Sequence, residues 1–227
     1  MFVAFKEVCT PENLIFLLQG ALISFGIAAI ALCIGICFGI MGAAAKISKN
    51  PILRFIGNIY VEIIRGTPML LQITILYTAL PLIYTVVTGN IFRPNLYIVG
   101  IVAMSINSGA YTTELIRSGI MGIDKGQWEA SEAIGLSYRQ TLKLVILPQA
   151  FKRIVPPLVS EFVTLIKDSS LISVIGAVEL MKSAQILGGR YYDMMSPLLI
   201  VASFYLIMTL SISFVAKKIE RKLASHD

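Results

Sequence analysis

Glu161 is the clearest candidate for chemistry in this sequence, because it is an acid within an apolar run. A charge in the hydrocarbon of a bilayer is costly, so ionisable residues within apolar runs are functional candidates. A carboxylate that faced a water-filled cavity would suit a cationic ligand. The alternative is that Glu161 lies at the membrane interface near Pro157. The sequence leaves both interpretations open.

Four more polar residues interrupt apolar runs. Thr67 precedes Pro68, and proline removes a backbone donor and frees carbonyl groups. A broken helix is tolerated at membrane depth only where it is buried in protein or lines a cavity. Asn107, Ser108 and Tyr111 stand at i, i+1 and i+4, which gives an apolar helix one polar face. Such a face either bonds a neighbouring helix or lines a solute path. The predicted solute path comprises Thr67, Asn107, Ser108, Tyr111 and Glu161.

The other charged residues of these runs occur in pairs. Glu62 and Arg65 stand at i and i+3, and Glu114 and Arg117 repeat that spacing. Each pair can neutralise itself on one helix face, so both are predicted to be structural. The neighbours at 167 and 168, a lysine and an aspartate, are expected to pair with other groups or to lie at an interface.

The sequence lacks the motifs of several classes of enzyme. No Gly-Lys dipeptide occurs, so the chain has no phosphate-binding loop of the ATPase type. The HExxH and GxSxG motifs are absent, and the single histidine, His226, lies in the C-terminal tail. The three cysteines lack metal-ligand spacing with histidine. The chain is therefore predicted to be no enzyme and to bind no metal or other cofactor itself.

The composition is that of a membrane protein. Of 227 residues, 56% are hydrophobic and 14% charged, and the mean hydropathy is +0.81. These values predict one all-α, polytopic membrane domain over residues 1–227. An apolar helix needs about 20 residues to cross a bilayer. The predicted spans are residues 14–45, 55–87 (interrupted at 66–68 and again at Pro81), 96–119, 156–178 and 197–216. In the first span Ala31, Gly35, Gly39 and Ala43 form a stripe of small residues that predicts close approach of another helix.

The only long polar interruption of this pattern spans residues 124–148. It contains two helix-start signatures with a glycine between them that can end the first helix in the left-handed conformation. These residues are, in order, Asp124 with Gln127, Gly135, and Ser137 with Gln140. The first short helix has a small apolar face, and Pro148 is predicted to mark the next boundary. The interruption is thus an ordered helical hairpin, and we expect it to dock onto another protein.

The hairpin resembles the coupling motif of the permeases of ABC importers. That motif reads Glu-Ala-Ala, three residues, Gly, nine residues, and Ile-x-Leu-Pro. Here Glu129-Ala130-Ser131 is followed at the same distances by Gly135 and by residues 145–148, Val-Ile-Leu-Pro. The departures are Ser131 for the second alanine and Val145 for isoleucine. Residues 60–72, 110–120 and 162–176 also look like polar amino acid uptake permeases, a subclass of type I ABC importers, and the resemblance covers roughly residues 14–222.

This resemblance implies the type I importer permease fold, with residues 127–139 as a cytoplasmic coupling helix that sits in a groove of a separate ATPase subunit. ATP and Mg²⁺ would be bound by that subunit. A second permease would pair with this one about a two-fold axis, and an extracytoplasmic binding protein would deliver the amino acid. A homodimer is preferred, because the chain has a complete coupling motif and a complete set of path residues. The residues assigned to ATPase coupling are Gln127, Trp128, Glu129, Ala130, Ala133, Gly135 and Arg139.

The basic residues predict the orientation in the membrane. Twelve Lys and Arg residues lie in the first loop, the hairpin region and the tail, against four on the opposite side. The positive-inside rule then places the N-terminus outside and the hairpin and C-terminus in the cytoplasm. The resemblance implies that the membrane is a bacterial inner membrane. This distribution explains the net charge of +6 by contact with membrane lipid and without nucleic acid.

Two other function classes stay open. An ion-coupled secondary transporter would need carboxylates at mid-membrane and usually an internal repeat, and no convincing repeat is present. A channel subunit would need no ATPase, and the ordered hairpin would then lack a purpose. Arginine, histidine, lysine and glutamine all fit as substrates, with Glu161 favouring the cationic ones slightly.

Overall fold

The computed structural model describes residues 2–224, and every regular element in that range is helical, which confirms the all-α prediction. His226 lies outside the described residues. The helices are α1 (Phe2–Val8), α2 (Pro11–Ile47), α3 (Pro51–Arg65), α4 (Met69–Thr88), α5 (Leu96–Met121), α6 (Lys125–Ala133), α7 (Tyr138–Thr141), a π-helical turn (Leu142–Ile146), α8 (Leu147–Asp168), a 3₁₀ segment (Ser169–Ile175), α9 (Leu180–Tyr191) and α10 (Met195–Ala224).

Three helices in this range are long and apolar enough to cross a membrane, namely α2, α4 and residues Met195–Lys218 of α10. The 20 residues of α4 correspond to a length of about 30 Å, the thickness of a bilayer core. Helices α5 and α8 are as long as α4, but they carry more of the polar residues that the sequence singled out. Each of these five helices overlaps one of the five predicted spans.

Capping side chains stabilise the starts of α2, α3 and α5. The Thr10 hydroxyl accepts a hydrogen bond from the Asn13 N–H at the start of α2, and Asn50 Oδ1 accepts one from the Ile52 N–H (2.9 Å) at the start of α3. Asn95 does the same for α5. Each supplies an acceptor to amide groups that have no partner inside the helix.

Helices α2 and α5 pack closely along the predicted stripe of small residues. A Cβ atom at Gly35 would lie 2.9 Å from Ser108 Oγ, and one at Gly39 would overlap the Thr112 side chain. The predicted close approach is therefore confirmed, and α5 is the helix that approaches. Around this pair lies the main core, in which Met104, Leu165 and Ile166 are buried.

The second predicted span is two separate helices. The amphipathic α3 ends at Arg65, residues 66–68 form the break, and α4 begins at Met69. The predicted interruption at Pro81 is wrong, since α4 continues through that residue. Pro81 removes one backbone hydrogen bond of α4, a loss that membrane-spanning helices tolerate.

The helix of the fourth predicted span begins before Pro156. Helix α8 begins at Leu147, directly after the π-helical turn, and runs through both Pro156 and Pro157 to Asp168. Pro148 lies directly after the π-helical turn, where the backbone is already helical. Beyond Asp168 the chain tightens into the 3₁₀ segment, which ends at Ile175, three residues before the predicted span end at residue 178.

The end of the bundle opposite the hairpin is fixed by Glu179, a residue that the sequence analysis did not single out. Its side chain is fully buried. The carboxylate accepts hydrogen bonds from the N–H groups of Met181 (2.9 Å) and Lys182 (2.8 Å) and from the hydroxyls of Ser24 and Tyr205 (both 3.1 Å). Glu179 thus caps α9 and joins it to α2 and α10. The segment around residues 179–195, predicted only as polar, is for the most part a helix.

Gly39→Leu should destabilise the protein by about 1–3 kcal/mol, because the larger side chain must push α5 away from α2. Gly26→Leu, in the same helix, is the matched control, since a Cβ atom there meets no other atom within 4 Å. The measurement is thermal unfolding of both variants in detergent. Equal melting temperatures would contradict the close packing of α2 on α5.

Candidate functional site

A polar cavity of about 490 Å³ lies between the α3–α4 break, the middle of α5 and the second half of α8. Four of the five predicted path residues line it, namely Thr67, Asn107, Tyr111 and Glu161. Asn107 is the twelfth residue of the 26-residue α5, so the cavity lies about halfway along that helix. Ser108 is fully buried and does not line the cavity. It packs against α2 at Gly35, behind the residues that line the cavity.

The α8 wall of the cavity is acidic. Glu161, Thr164 and Asp168 all line it, and their spacing of three and four residues puts them on one helix face. Glu161 therefore lies in the cavity wall. The sequence analysis missed Asp168 and Thr164, although the same spacing from Glu161 could have identified them.

Arg65 is the cationic residue of the cavity, and its predicted pairing is wrong. No ion pair within 4 Å joins Glu62 and Arg65 among the described residues; instead the Arg65 guanidinium carbon lies 5.0 Å from the centre of the Tyr111 ring. A cation over an aromatic face is attracted by the ring quadrupole. This contact keeps the guanidinium at the cavity, where Arg65 is one of the lining residues. Sequence spacing along α3 could not reveal a partner on α5.

The second predicted pair does form. Arg117 donates two hydrogen bonds to Glu114 Oε2, from Nε (3.0 Å) and Nη2 (2.9 Å). Lys46, at the end of α2, binds the other carboxylate oxygen. Glu114 therefore has a structural role, because it joins the hairpin ends of α2 and α5.

Gln72 stabilises the break that forms one side of the cavity. In an unbroken helix the N–H of residue 68 would donate to the Ile64 carbonyl, but Pro68 has none. Gln72 Nε2 donates to that oxygen instead (2.7 Å) and also to Thr67 Oγ1 (2.8 Å). Its Oε1 accepts a hydrogen bond from Asn107 Nδ2 (2.9 Å). One side chain therefore satisfies the open backbone and ties it to α5.

The hairpin has the predicted helix ends. Asp124 Oδ1 accepts a hydrogen bond from the Gly126 N–H (2.7 Å), and Gln140 Oε1 accepts one from the Ser137 N–H (2.9 Å). Gly135 has a φ of +81°, the left-handed conformation expected after the first helix. The Asp124 cap, the Ser137–Gln140 capping box and the left-handed Gly135 are confirmed. The predicted return contact of Gln127 to the start of its helix is not formed in the described part of the chain, because Gln127 accepts a hydrogen bond from Gln149 instead.

The assigned coupling residues divide into two groups. Trp128 stacks on Tyr138 (centroids 5.8 Å apart) and packs on the core at the base of the hairpin, while Gln127 binds Gln149 (3.0 Å). These two hold the hairpin to α8. The remaining assigned residues are exposed, together with Ile134 (77% exposed). They are Glu129, Ala130, Ala133, Gly135 and Arg139.

The base of the hairpin is packed tightly against the long helices. Ile123, Ile146, Ala150 and Ile154 are buried together there. A Cβ atom at Gly119 of α5 would overlap Ile154, so α5 and α8 cross in contact. A force on the hairpin would therefore be passed to both helices.

Comparison with known protein families identifies the family of this chain. The family described as "Binding-protein-dependent transport system inner membrane component" matches residues 35–225. The chain belongs to this family. Its members are inner membrane components of transport systems, which agrees with the apolar helices described above.

Named relatives of this permease transport amino acids. It is 39% identical over 218 residues to the arginine transport system permease protein of Bacillus subtilis (strain 168), covering 96% of this chain and 97% of that protein. It is 35% identical over 207 residues to the glutamine transport system permease protein of Escherichia coli (strain K12), covering 91% and 92%.

Solved structures give the same fold. An amino acid ABC transporter crystallised with histidines has a chain of 32% identity that superposes with a TM-score of 0.86, over 93% of this permease and 95% of that chain. The methionine ABC transporter MetNI, in an inward-facing conformation, is 19% identical with a TM-score of 0.76, which supports the fold alone. The predicted type I importer permease fold is confirmed.

Gln72→Leu should destabilise the permease by about 1–3 kcal/mol, because the Ile64 carbonyl keeps only the longer hydrogen bond from Thr67 Oγ1 (3.4 Å) and the Asn107 amide loses its acceptor. Thr78→Val is the matched control, since that hydroxyl bonds only to carbonyls of its own helix. Thermal unfolding in detergent measures both. If Gln72→Leu unfolds at the wild-type temperature, Gln72 does not support the break.

Proposed function

We propose that this permease forms the translocation path of an ATP-driven importer for polar and cationic amino acids, with the polar cavity as the solute site. The observation that carries the proposal is the joint placement of Arg65, Glu161 and Asp168 around one cavity halfway along α5. Charges at this depth are costly unless they are paired or serve a water-filled path.

The charges of the cavity fit an amino acid. Arg65 presents a cation that can bind an α-carboxylate, and guanidinium and carboxylate groups match in geometry. Glu161 and Asp168 present acceptors to an α-ammonium group and to a donor on the substrate side chain. Formally the three sum to −1, which favours a substrate with one extra positive charge such as arginine, lysine or protonated histidine. Glutamine would satisfy the same acceptors with its amide.

ATP hydrolysis is assigned to a separate subunit, because the chain has no phosphate-binding loop. The exposed face of the hairpin, with Ala130, Ala133 and Ile134, is apolar and small enough to enter a groove of that ATPase. Closure of the ATPase dimer on ATP would move the hairpin, and the packed hairpin base would pass this motion to α5 and α8. The cavity would then open alternately to the two sides.

The assembly follows from the same features. A second permease packed beside the cavity would complete its wall. A homodimer is preferred, since one chain supplies both a complete set of path residues and a complete hairpin. The positive-inside distribution supports a cytoplasmic hairpin and C-terminus and an outside N-terminus, where a solute-binding protein would deliver the substrate.

Glu161→Gln should raise the KM for arginine about tenfold and that for glutamine far less, because only the cationic side chain loses a charge partner. The measurement is ATP-driven uptake of both labelled amino acids into proteoliposomes that contain the permease with its ATPase and binding protein. Glu12→Gln, an exposed acid in the first turn of α2, is the control and should change neither value. Equal effects of Glu161→Gln on both substrates would contradict the proposed charge selection.

A further inference from the structure

A second, apolar groove lies at the hairpin end of the bundle, away from the polar cavity. It has a volume of about 790 Å³, within the range of roughly 300–1,000 Å³ in which proteins hold small molecules. Its walls are the last turns of α2, the end of α5, the hairpin and the first half of α8. Its bed is built from aliphatic and aromatic side chains, among them Ile40, Ile116, Leu147 and Phe151.

Most residues that line the groove are apolar, and Ser48, Lys49 and Tyr138 are its polar lining residues. Lys49 follows α2 directly and is exposed there, beside the backbone turn at Ser48. No carboxylate of the described residues lies within 4 Å of the Lys49 ammonium, whereas the neighbouring Lys46 is bound to Glu114. Tyr138 of the hairpin, which carries a hydroxyl group, also lines the groove and is exposed. The groove therefore joins a long apolar bed to one unpaired positive charge.

An apolar groove beside one positive charge favours an amphiphilic ligand. A polar solute would leave its donors and acceptors unpaired against the aliphatic bed, which is costly. A hydrocarbon chain would fill the bed, and an attached anionic headgroup would meet Lys49. Basic pockets between membrane helices on the cytoplasmic side are typical sites for anionic phospholipids.

We infer that this groove is a binding site for one anionic phospholipid of the cytoplasmic leaflet, with an acyl chain along the bed and the phosphate at Lys49. The assignment to the cytoplasmic leaflet rests on the orientation proposed above. The bound lipid would contact Leu142 and Tyr138 of the hairpin on one side and α2 on the other. It would thus be part of the surface on which the hairpin moves.

Native mass spectrometry of the purified transporter, delipidated and then incubated with phosphatidylglycerol or phosphatidylcholine, tests this inference. Wild-type protein should retain about one phosphatidylglycerol per permease in preference to phosphatidylcholine. Lys49→Gln should weaken retention of phosphatidylglycerol about fivefold, the effect of one lysine at a membrane surface. Lys218→Gln makes the same change of charge in the exposed end of α10 and should retain the lipid as wild type does.

A second variant tests the bed without a change of charge. Ala44 lines the groove and is exposed, so Ala44→Phe should fill the bed and abolish retention of either lipid. Ala202→Phe on α10 is the matched control on another exposed helix surface.

Three outcomes would overturn the inference. Equal retention of the two lipids by wild type would mean that the headgroup is not recognised. An equal effect of Lys49→Gln and Lys218→Gln would remove Lys49 from the site. A photo-crosslinker at Phe151 that captures a second permease copy instead of lipid would show that the groove is a protein interface.

Discussion

Pro68 has no N–H to donate to the Ile64 carbonyl, and the side chain of Gln72 supplies that hydrogen bond. An open carbonyl inside a helix bundle is costly, so the break between α3 and α4 depends on this replacement. Because Gln72 also accepts a hydrogen bond from Asn107, the break is held at a fixed distance from α5. The polar cavity exists where these two elements are tied together, and Arg65 reaches it because α3 ends there.

The close packing of α2 on α5 makes the other walls possible. Small residues on α2 let α5 approach, and the polar face of α5 is then divided between two neighbours. Ser108 and Thr112 face α2, while Asn107 and Tyr111 face the cavity. At the end of α5 the crossing with α8 at Gly119 fixes the hairpin. Cavity and hairpin are therefore connected by two continuous helices, which is what a coupled transporter requires.

Local signals of the sequence predicted local structure well. The caps of the hairpin, the left-handed Gly135 and the break at Pro68 all depend on residues within a few positions of each other. Partners from distant elements could not be read in this way, and so Arg65 was assigned to Glu62 instead of the Tyr111 ring. Glu179 was missed because its four donors come from three helices.

The sequence indicated an interruption at Pro81 and the start of a span at Pro156, but the helices continue through both positions. Pro156 and Pro157 stand inside α8, and Pro81 stands inside α4. A π-helical turn precedes α8 and changes the register of the backbone before the first proline is reached. Proline restricts the residue before it, but within a bundle the packing of neighbouring helices can maintain a helix through it.

The central claim is that a separate ATPase drives this permease through the hairpin, and purification of the tagged chain from its native membrane tests it most directly. Subunits that co-purify would be identified and counted for wild type, for Ile134→Asp on the exposed hairpin face, and for Ile91→Asp in the loop before α5 as control. The account predicts one ATPase per permease with wild type and Ile91→Asp, and loss of the ATPase with Ile134→Asp. A wild-type permease that brings no ATPase would contradict it.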